Sequence, residues 1–391
     1  MSTHRKAISS KLEAFGTTIF AEMSHMALEY GAVNLSQGFP DFEGPPSIID
    51  SAILALRSGH NQYARSAGAI PLVEAIAQHQ SDFYKLNYDP LKEVIVFSGG
   101  TEAIASSLLG MLDSGDEVIV FEPFYDSYPA CIALAGAVPR YCTLRFPDFS
   151  IDFAQLESLF NSKTRLLLLN TPHNPTGKVF SREELTKIAA LCLKHEVRVI
   201  SDEVYEHLTF DSIPHVPMAT IDGMRDRTIS IASNGKTFSF TGWKIGWASG
   251  AADMIAAAQS AHQFITFASA APLQHAVASA LRSADASYFS AFTKDYTERR
   301  DFLVETLRSI GLDVAVPRGT YFILADFRPI FDGDDRAFAI HLIEKCKVAA
   351  IPPSVFYKAH PEEGKKLVRF AFCKRMETLR EAAGRLQRIA R

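Results

Sequence analysis

Residues 93–123 read EVIVFSGGTEAIASSLLGMLDSGDEVIVFEP. Two short Val/Ile runs flank a segment in which a Gly pair leads into apolar residues at helical spacing, closed by a Ser-Gly-Asp turn. Short β-branched runs bounded by turn residues suit strands buried on both faces. A strand, a helix and a second strand in one stretch are the repeating unit of an open parallel sheet covered by helices.

The same rhythm continues through RLLLLNTP (165–172), RVISDE (198–203) and TISIASN (228–234). The gaps between these runs hold helices. SREELTKIAALCLKHE (181–196) opens on a Ser-x-x-Glu capping box and goes on with apolar residues at helical spacing. The expected fold class is therefore α/β, with a doubly wound, mostly parallel sheet. From Ala286 the pattern changes to one long amphipathic helix, followed by the strand candidates GTYFILADF, KVAAIPPSVF and KLVRFAF of a smaller α+β unit. The expected division is an N-terminal arm (1–45) docking beside the small unit, a large domain (46–285) and a small domain (286–391).

With 391 residues, 47% hydrophobic and 21% charged, and a formal net charge of -4, the chain can bury a large core and carries no nucleic-acid footprint. A small-molecule partner is expected instead. Cys131, Cys142, Cys192, Cys346 and Cys373 are odd in number, widely spaced and without a CxxC pair, which favours reduced thiols over disulfides or a zinc site. The basic N-terminus leads into no apolar signal core, so a cytoplasmic location is expected. Residues 254–281 contain no Asp, Glu, Lys or Arg, yet their Gln, His and Pro residues suit a buried or interface region better than a membrane span.

Ligands of open parallel sheets bind beyond the carboxyl ends of the strands. The unusual polar residues of this sequence fall there: Gly99-Gly100-Thr101, Tyr125, Asn170 with Asn174, Asp202 with Tyr205, and Ser233 with Lys236. The Gly pair before a helix is either a tight turn or a phosphate cradle of free N–H groups. Asp202 reads as a helix cap or as the partner of a cationic ring nitrogen. Lys236 with Lys244 close by suits phosphate binding combined with a nucleophilic amine whose pKa is lowered by a neighbouring cation. A phosphate cradle, an amine, a ring-facing carboxylate and an aromatic are together what pyridoxal 5'-phosphate (PLP) requires.

The motifs NLSQGFPDF, NQYARSAG, SGGTEA, EPFYDSY, NTPHNPTGK, SDEVYEH, SNGKTFSFTGWKIGW, RGTYF and VRFAF resemble, in order and over nearly the whole chain, the class I PLP-dependent aminotransferases of fold type I. The likeness is greatest to the group containing methionine aminotransferase and kynurenine or glutamine transaminase K. The resemblance implies that Lys236 bonds the cofactor covalently, that Ser233, Lys244 and the backbone of Gly100 and Thr101 hold its phosphate, and that Tyr63 joins them from a neighbouring subunit. It also implies Asp202 at the ring nitrogen, Asn174 and Tyr205 at the ring hydroxyl, Tyr125 stacked on the ring, and Arg369 gripping the substrate α-carboxylate with help from the Gly38 backbone. No metal is implied.

A homodimer with shared active sites follows from the same resemblance, with Phe267 also reaching across. Ile19, Phe20, Phe267 and Tyr321 make the expected side-chain pocket apolar or aromatic, which favours methionine, glutamine or an aromatic amino acid over aspartate as donor to a 2-oxo acid. Two alternatives stay open: a β-lyase acting on cysteine S-conjugates or cystathionine, and a PLP-binding sensor domain without turnover.

Overall fold

The computed structural model describes residues 7–390. Its central sheet contains β2 (Val94–Phe97), β3 (Glu117–Glu122), β4 (Val138–Thr143), β5 (Thr164–Asn170), β6 (Arg198–Asp202), β7 (Thr228–Ser233) and β8 (Gly246–Gly250), in the order β2-β8-β7-β6-β5-β3-β4. Only β8 runs against its neighbours, pairing antiparallel with both β2 and β7. The sheet is mostly parallel, as its sequence rhythm requires. Two members of it lay outside the five apolar runs. β8 reads GWASG and β4 reads VPRYCT, both too poor in branched apolar residues to stand out. Consequently the two strands of the 93–123 stretch are not neighbours, because β8, β7, β6 and β5 lie between them.

Leu166 to Leu169 of β5 are buried on both faces, and each such side chain contributes about 1.5–3 kcal/mol relative to exposure. Helices supply the cover. Gly100–Met111 starts from Gly99 at φ 89°, a left-handed turn that a side chain would strain. Arg182–Lys194 has the expected capping box, with Ser181 accepting from the Glu184 N–H and Glu184 from the Ser181 N–H. The uncharged stretch forms two helices, Ala252–Ile265 and Ala271–Ser283, with Pro272 in the first turn of the second. Among the described residues no helix is long and apolar enough to cross a membrane. The five cysteines are all buried and unpaired.

After the long helix Ala286–Ser309, β9 (Asp313–Ala315), β10 (Phe322–Asp326) and β12 (Leu367–Ala371) form an antiparallel sheet with β10 in the centre. The remaining candidate strand does not join it. β11 (Val348–Ala349) pairs in parallel with β1 (Val33–Asn34) of the N-terminal segment. The N-terminal helix Ile19–Glu29 packs Ile19, Met23 and Ala27 with Ala339, Ile343 and Phe356. On this packing we propose the division into 1–45, 46–285 and 286–391; the first six residues of that arm lie outside the described residues.

Candidate active site

The carboxyl ends of β5, β6 and β7 and the turns after β2 and β3 open into one cavity of about 370 Å³, between the central sheet and the N-terminal and C-terminal segments. Gly100, Thr101, Tyr125, Asn174, Asp202 and Tyr205 line it, with Ser233 at the end of β7 and Lys236 and Lys244 from the segment after it. Gly38, Phe20 and Arg369 complete the wall. Tyr63 and Phe267 do not reach it. They form an edge-to-face pair at 5.0 Å on the surface, 84% and 49% exposed. Ile19 is absorbed into the core beneath the N-terminal helix. Tyr321 stands behind Lys236, touching the site through its hydroxyl.

At one end of the cavity the backbones are pressed together. A Cβ on Gly246 would sit 2.6 Å from the Gly99 carbonyl carbon and 2.7 Å from the Gly100 nitrogen, and one on Gly99 would sit 3.0 Å from Lys244 Nζ. The start of the helix Gly100–Met111 thus presents unpaired N–H groups beside an ammonium, an arrangement suited to an anion such as phosphate.

Asp202 ends β6 almost fully buried. Its Oδ2 accepts from the Tyr128 hydroxyl at 2.6 Å and its Oδ1 from the Val204 N–H at 3.3 Å. Burial pushes its pKa up to about 6, against the pull of Tyr128, Val204 and Lys236. Asn170 donates to the Asp202 carbonyl at 2.9 Å and accepts from the Asn174 N–H at 2.7 Å, tying the ends of β5 and β6 to the loop that carries Asn174.

Lys236 sits in a one-turn helix after β7. Its Nζ donates to the Gly38 carbonyl at 3.1 Å and to the Tyr321 hydroxyl at 2.5 Å, while that hydroxyl donates to Gly38 at 2.6 Å. Burial lowers its pKa to about 8; Cys373 and Asp202 oppose the shift, and Lys244 and Arg369 add to it.

Arg369 is only 1% exposed. It donates from Nη1 to Asn174 Oδ1 at 3.3 Å and from Nη2 to the Ser36 carbonyl at 3.0 Å. Its guanidinium is flanked by the rings of Phe322, Phe20 and Phe356, at 4.1, 5.1 and 5.3 Å from the ring centres. Its Nε has no partner. The guanidinium nonetheless borders the cavity, and a carboxylate is the planar acceptor that matches it. The carbonyl that orients it belongs to Ser36, whereas the Gly38 carbonyl serves Lys236 and Tyr321.

Tyr128 and Ser36 were not singled out in the sequence, although both lie within its motifs. The signal for Tyr128 is its spacing: three residues beyond Tyr125, at the start of the helix Ser127–Leu134, it turns toward the same neighbourhood. Nothing marks Ser36, whose contribution is a backbone carbonyl.

Residues 30–386 match the profile of the family described as Aminotransferase class I and II. The chain is 46% identical over 393 residues to a protein of Mycobacterium tuberculosis named probable N-succinyldiaminopimelate aminotransferase DapC, covering 97% of this chain and 98% of that one. It is 39% identical over 380 residues to the methionine aminotransferase of Escherichia coli, with 97% and 98% covered. The solved structure of the N-succinyldiaminopimelate aminotransferase from Mycobacterium tuberculosis superposes with a TM-score of 0.95 at 46% identity, covering 98% of this chain and 100% of that one.

Proposed function

The chain belongs to the class I and II aminotransferases, which are PLP-dependent enzymes, and from that premise we propose that it moves the α-amino group of methionine, glutamine or an aromatic amino acid to a 2-oxo acid. The observation that carries this reading is the single cavity in which a buried amine, a buried carboxylate and a buried guanidinium with a free donor converge.

The residues fit the cofactor. The helix start at Gly100 and Thr101, with Ser233 and Lys244, would hold the phosphate. Asp202 would hold a proton on the ring nitrogen, Asn174 and Tyr205 would bond the ring hydroxyl, and Tyr125 would stack on the ring. When bound, PLP supplies an electron sink for the pair left on Cα when its proton departs. Lys236, with a pKa lowered to about 8, has the basicity to take that proton and return it elsewhere. Arg369 fixes the α-carboxylate through a two-pronged donor. Tyr321, bonded to Lys236, keeps the amine aimed across the Gly38 carbonyl.

Phe20, Phe39, Ile104 and Phe322 give the wall an apolar part, beside which Gln37, Asp126 and Thr241 also line the cavity. The cations lining the cavity are Lys236, Lys244 and Arg369, and each already has a role, so among the described residues a second carboxylate on the donor finds no cation of its own. In a donor-by-acceptor activity panel, methionine, glutamine or an aromatic amino acid should therefore outperform aspartate, by at least ~10-fold for one unpaired charge. Arg369→Lys should weaken all donors alike. Aspartate as the best donor would overturn this pocket. A second reading, transamination of N-succinyl-diaminopimelate, is favoured by the 46% identity to the Mycobacterium tuberculosis protein; its extra carboxylates would then be met by cations of a second subunit, and the same panel includes it.

The second subunit is itself part of the proposal. Tyr63, Phe264 and Phe267 are 84%, 86% and 49% exposed, and large exposed aromatics in one region mark an interaction surface. A two-fold homodimer would bury them and bring Tyr63 and Phe267 to the partner's site. Hybrid dimers of Lys236→Ala and Tyr63→Ala subunits would then carry both defects in one site and none in the other. The purified hybrid should recover up to about half of wild-type activity, because one of two symmetric sites is intact. No recovery under proven subunit exchange would remove Tyr63 from the shared site.

A further inference from the structure

Four and five residues beyond Asp202, Glu206 and His207 meet His79 of the helix Ile70–Tyr84. One ligating atom from each lies within 4.8 Å of the other two. His79 Nε2 and His207 Nε2 are 3.0 Å apart, and His79 Nε2 is 3.9 Å from Glu206 Oε2. His79 and Glu206 are buried, and His207 is half-buried. Aromatic rings enclose the group: Phe289 is stacked on His207 at 3.6 Å and Phe83 lies 4.6 Å from the His79 ring. None of the three lines the cofactor cavity.

Burial of a carboxylate in such a pocket needs a proton or a cation. Among the described residues His79 is the one ion-pair partner of Glu206, the Tyr84 hydroxyl stands in hydrogen-bonding reach of its carboxyl group, and Glu206 Oε1 is left without a hydrogen-bond partner. The neighbouring Glu203 is already engaged, accepting from Ser201, Ser230 and the Met218 N–H. We propose that His79, Glu206 and His207 bind one zinc-type divalent cation, at a site separate from the cofactor cavity. Two imidazoles and a carboxylate are a donor set suited to Zn²⁺, with a fourth position for water. Bonds of about 2.0–2.1 Å in a tetrahedron place neighbouring ligand atoms about 3.3 Å apart, so the imidazole pair opens slightly and Glu206 moves inward from 3.9 Å to His79 and from within 4.8 Å of His207. The ion would pin the segment following Asp202 and Tyr205 to the helix Ile70–Tyr84.

The test uses the cofactor-loaded enzyme, dialysed against a chelator and titrated with Zn²⁺ in competition with a chromophoric chelator. One equivalent per chain should bind with Kd below about 1 µM. His207→Asn, at the half-buried position, should weaken binding at least ~100-fold. Glu206→Gln keeps the shape and removes the charge, and should act in the same direction; cofactor absorbance verifies that each variant is folded. His275→Asn is the control, because His60 and His275 stack at 3.7 Å elsewhere and offer a competing pair of imidazoles. Wild-type binding weaker than ~100 µM, equal binding by the wild type and both cluster variants, or a loss caused by His275→Asn alone would each overturn the proposal and leave a metal-free hydrogen-bonded cluster.

Discussion

Lys236→Ala protein is expected to fold, to bind PLP without a covalent link, and to transaminate at least ~10⁴-fold more slowly, since one side chain supplies both the nucleophile and the proton carrier. Folding should survive because Lys236 lies in a single helical turn whose neighbours Asn234 and Thr237 carry the packing. The lysine's bonds to Gly38 and Tyr321 leave behind a hydroxyl and a carbonyl already bonded to each other. In the wild type, covalent capture of added cofactor by the apoenzyme should quicken as pH rises toward about 8 and then level off, because burial places the amine's titration there. Stopped-flow absorbance measures both effects. Turnover in the alanine variant within ~10-fold of wild type would assign the proton transfer to another group.

Asp202→Asn should keep the fold and the cofactor, yet slow proton removal from Cα at least ~100-fold, the scale of losing one preorganised electrostatic group. The asparagine keeps one oxygen to accept from the Val204 N–H, while its amide NH2 can donate to the Tyr128 hydroxyl in place of the bond now received from it, so the side chain stays in position while the charge is lost. Single-turnover absorbance with a deuterated donor reads the affected step. Tyr128→Phe should be milder, because the carboxylate and its Val204 bond remain. Near-normal proton abstraction in Asp202→Asn would remove Asp202 from the mechanism.

Much of this architecture was legible from the chain. Leu166–Leu169 and Val118–Val120 announce buried strands because both faces of a parallel sheet are covered, and the residues just past those runs are the ones that meet in the cavity. β8 lacked such a run: its Gly246 lets the backbone lie against the Gly99-Gly100 turn, and its buried Trp247, Ala248 and Ser249 form no branched apolar signature. Pairing of β11 with β1 joins residues more than three hundred positions apart, and no local pattern reports such a contact. In the site, side chains with distinctive chemistry such as Lys236 and Asp202 could be found by type and place, whereas Arg369 was reached only through the family resemblance of its VRFAF motif. Ser36 could not, since it acts through its backbone. Tyr128 needed the three-residue spacing from Tyr125 to be weighed together with the burial of Asp202.

The most direct measurement is borohydride reduction of the cofactor-loaded protein followed by peptide mapping. A single reduced pyridoxyl group on Lys236 is the predicted result; the label on Lys244 or on any other residue would contradict it.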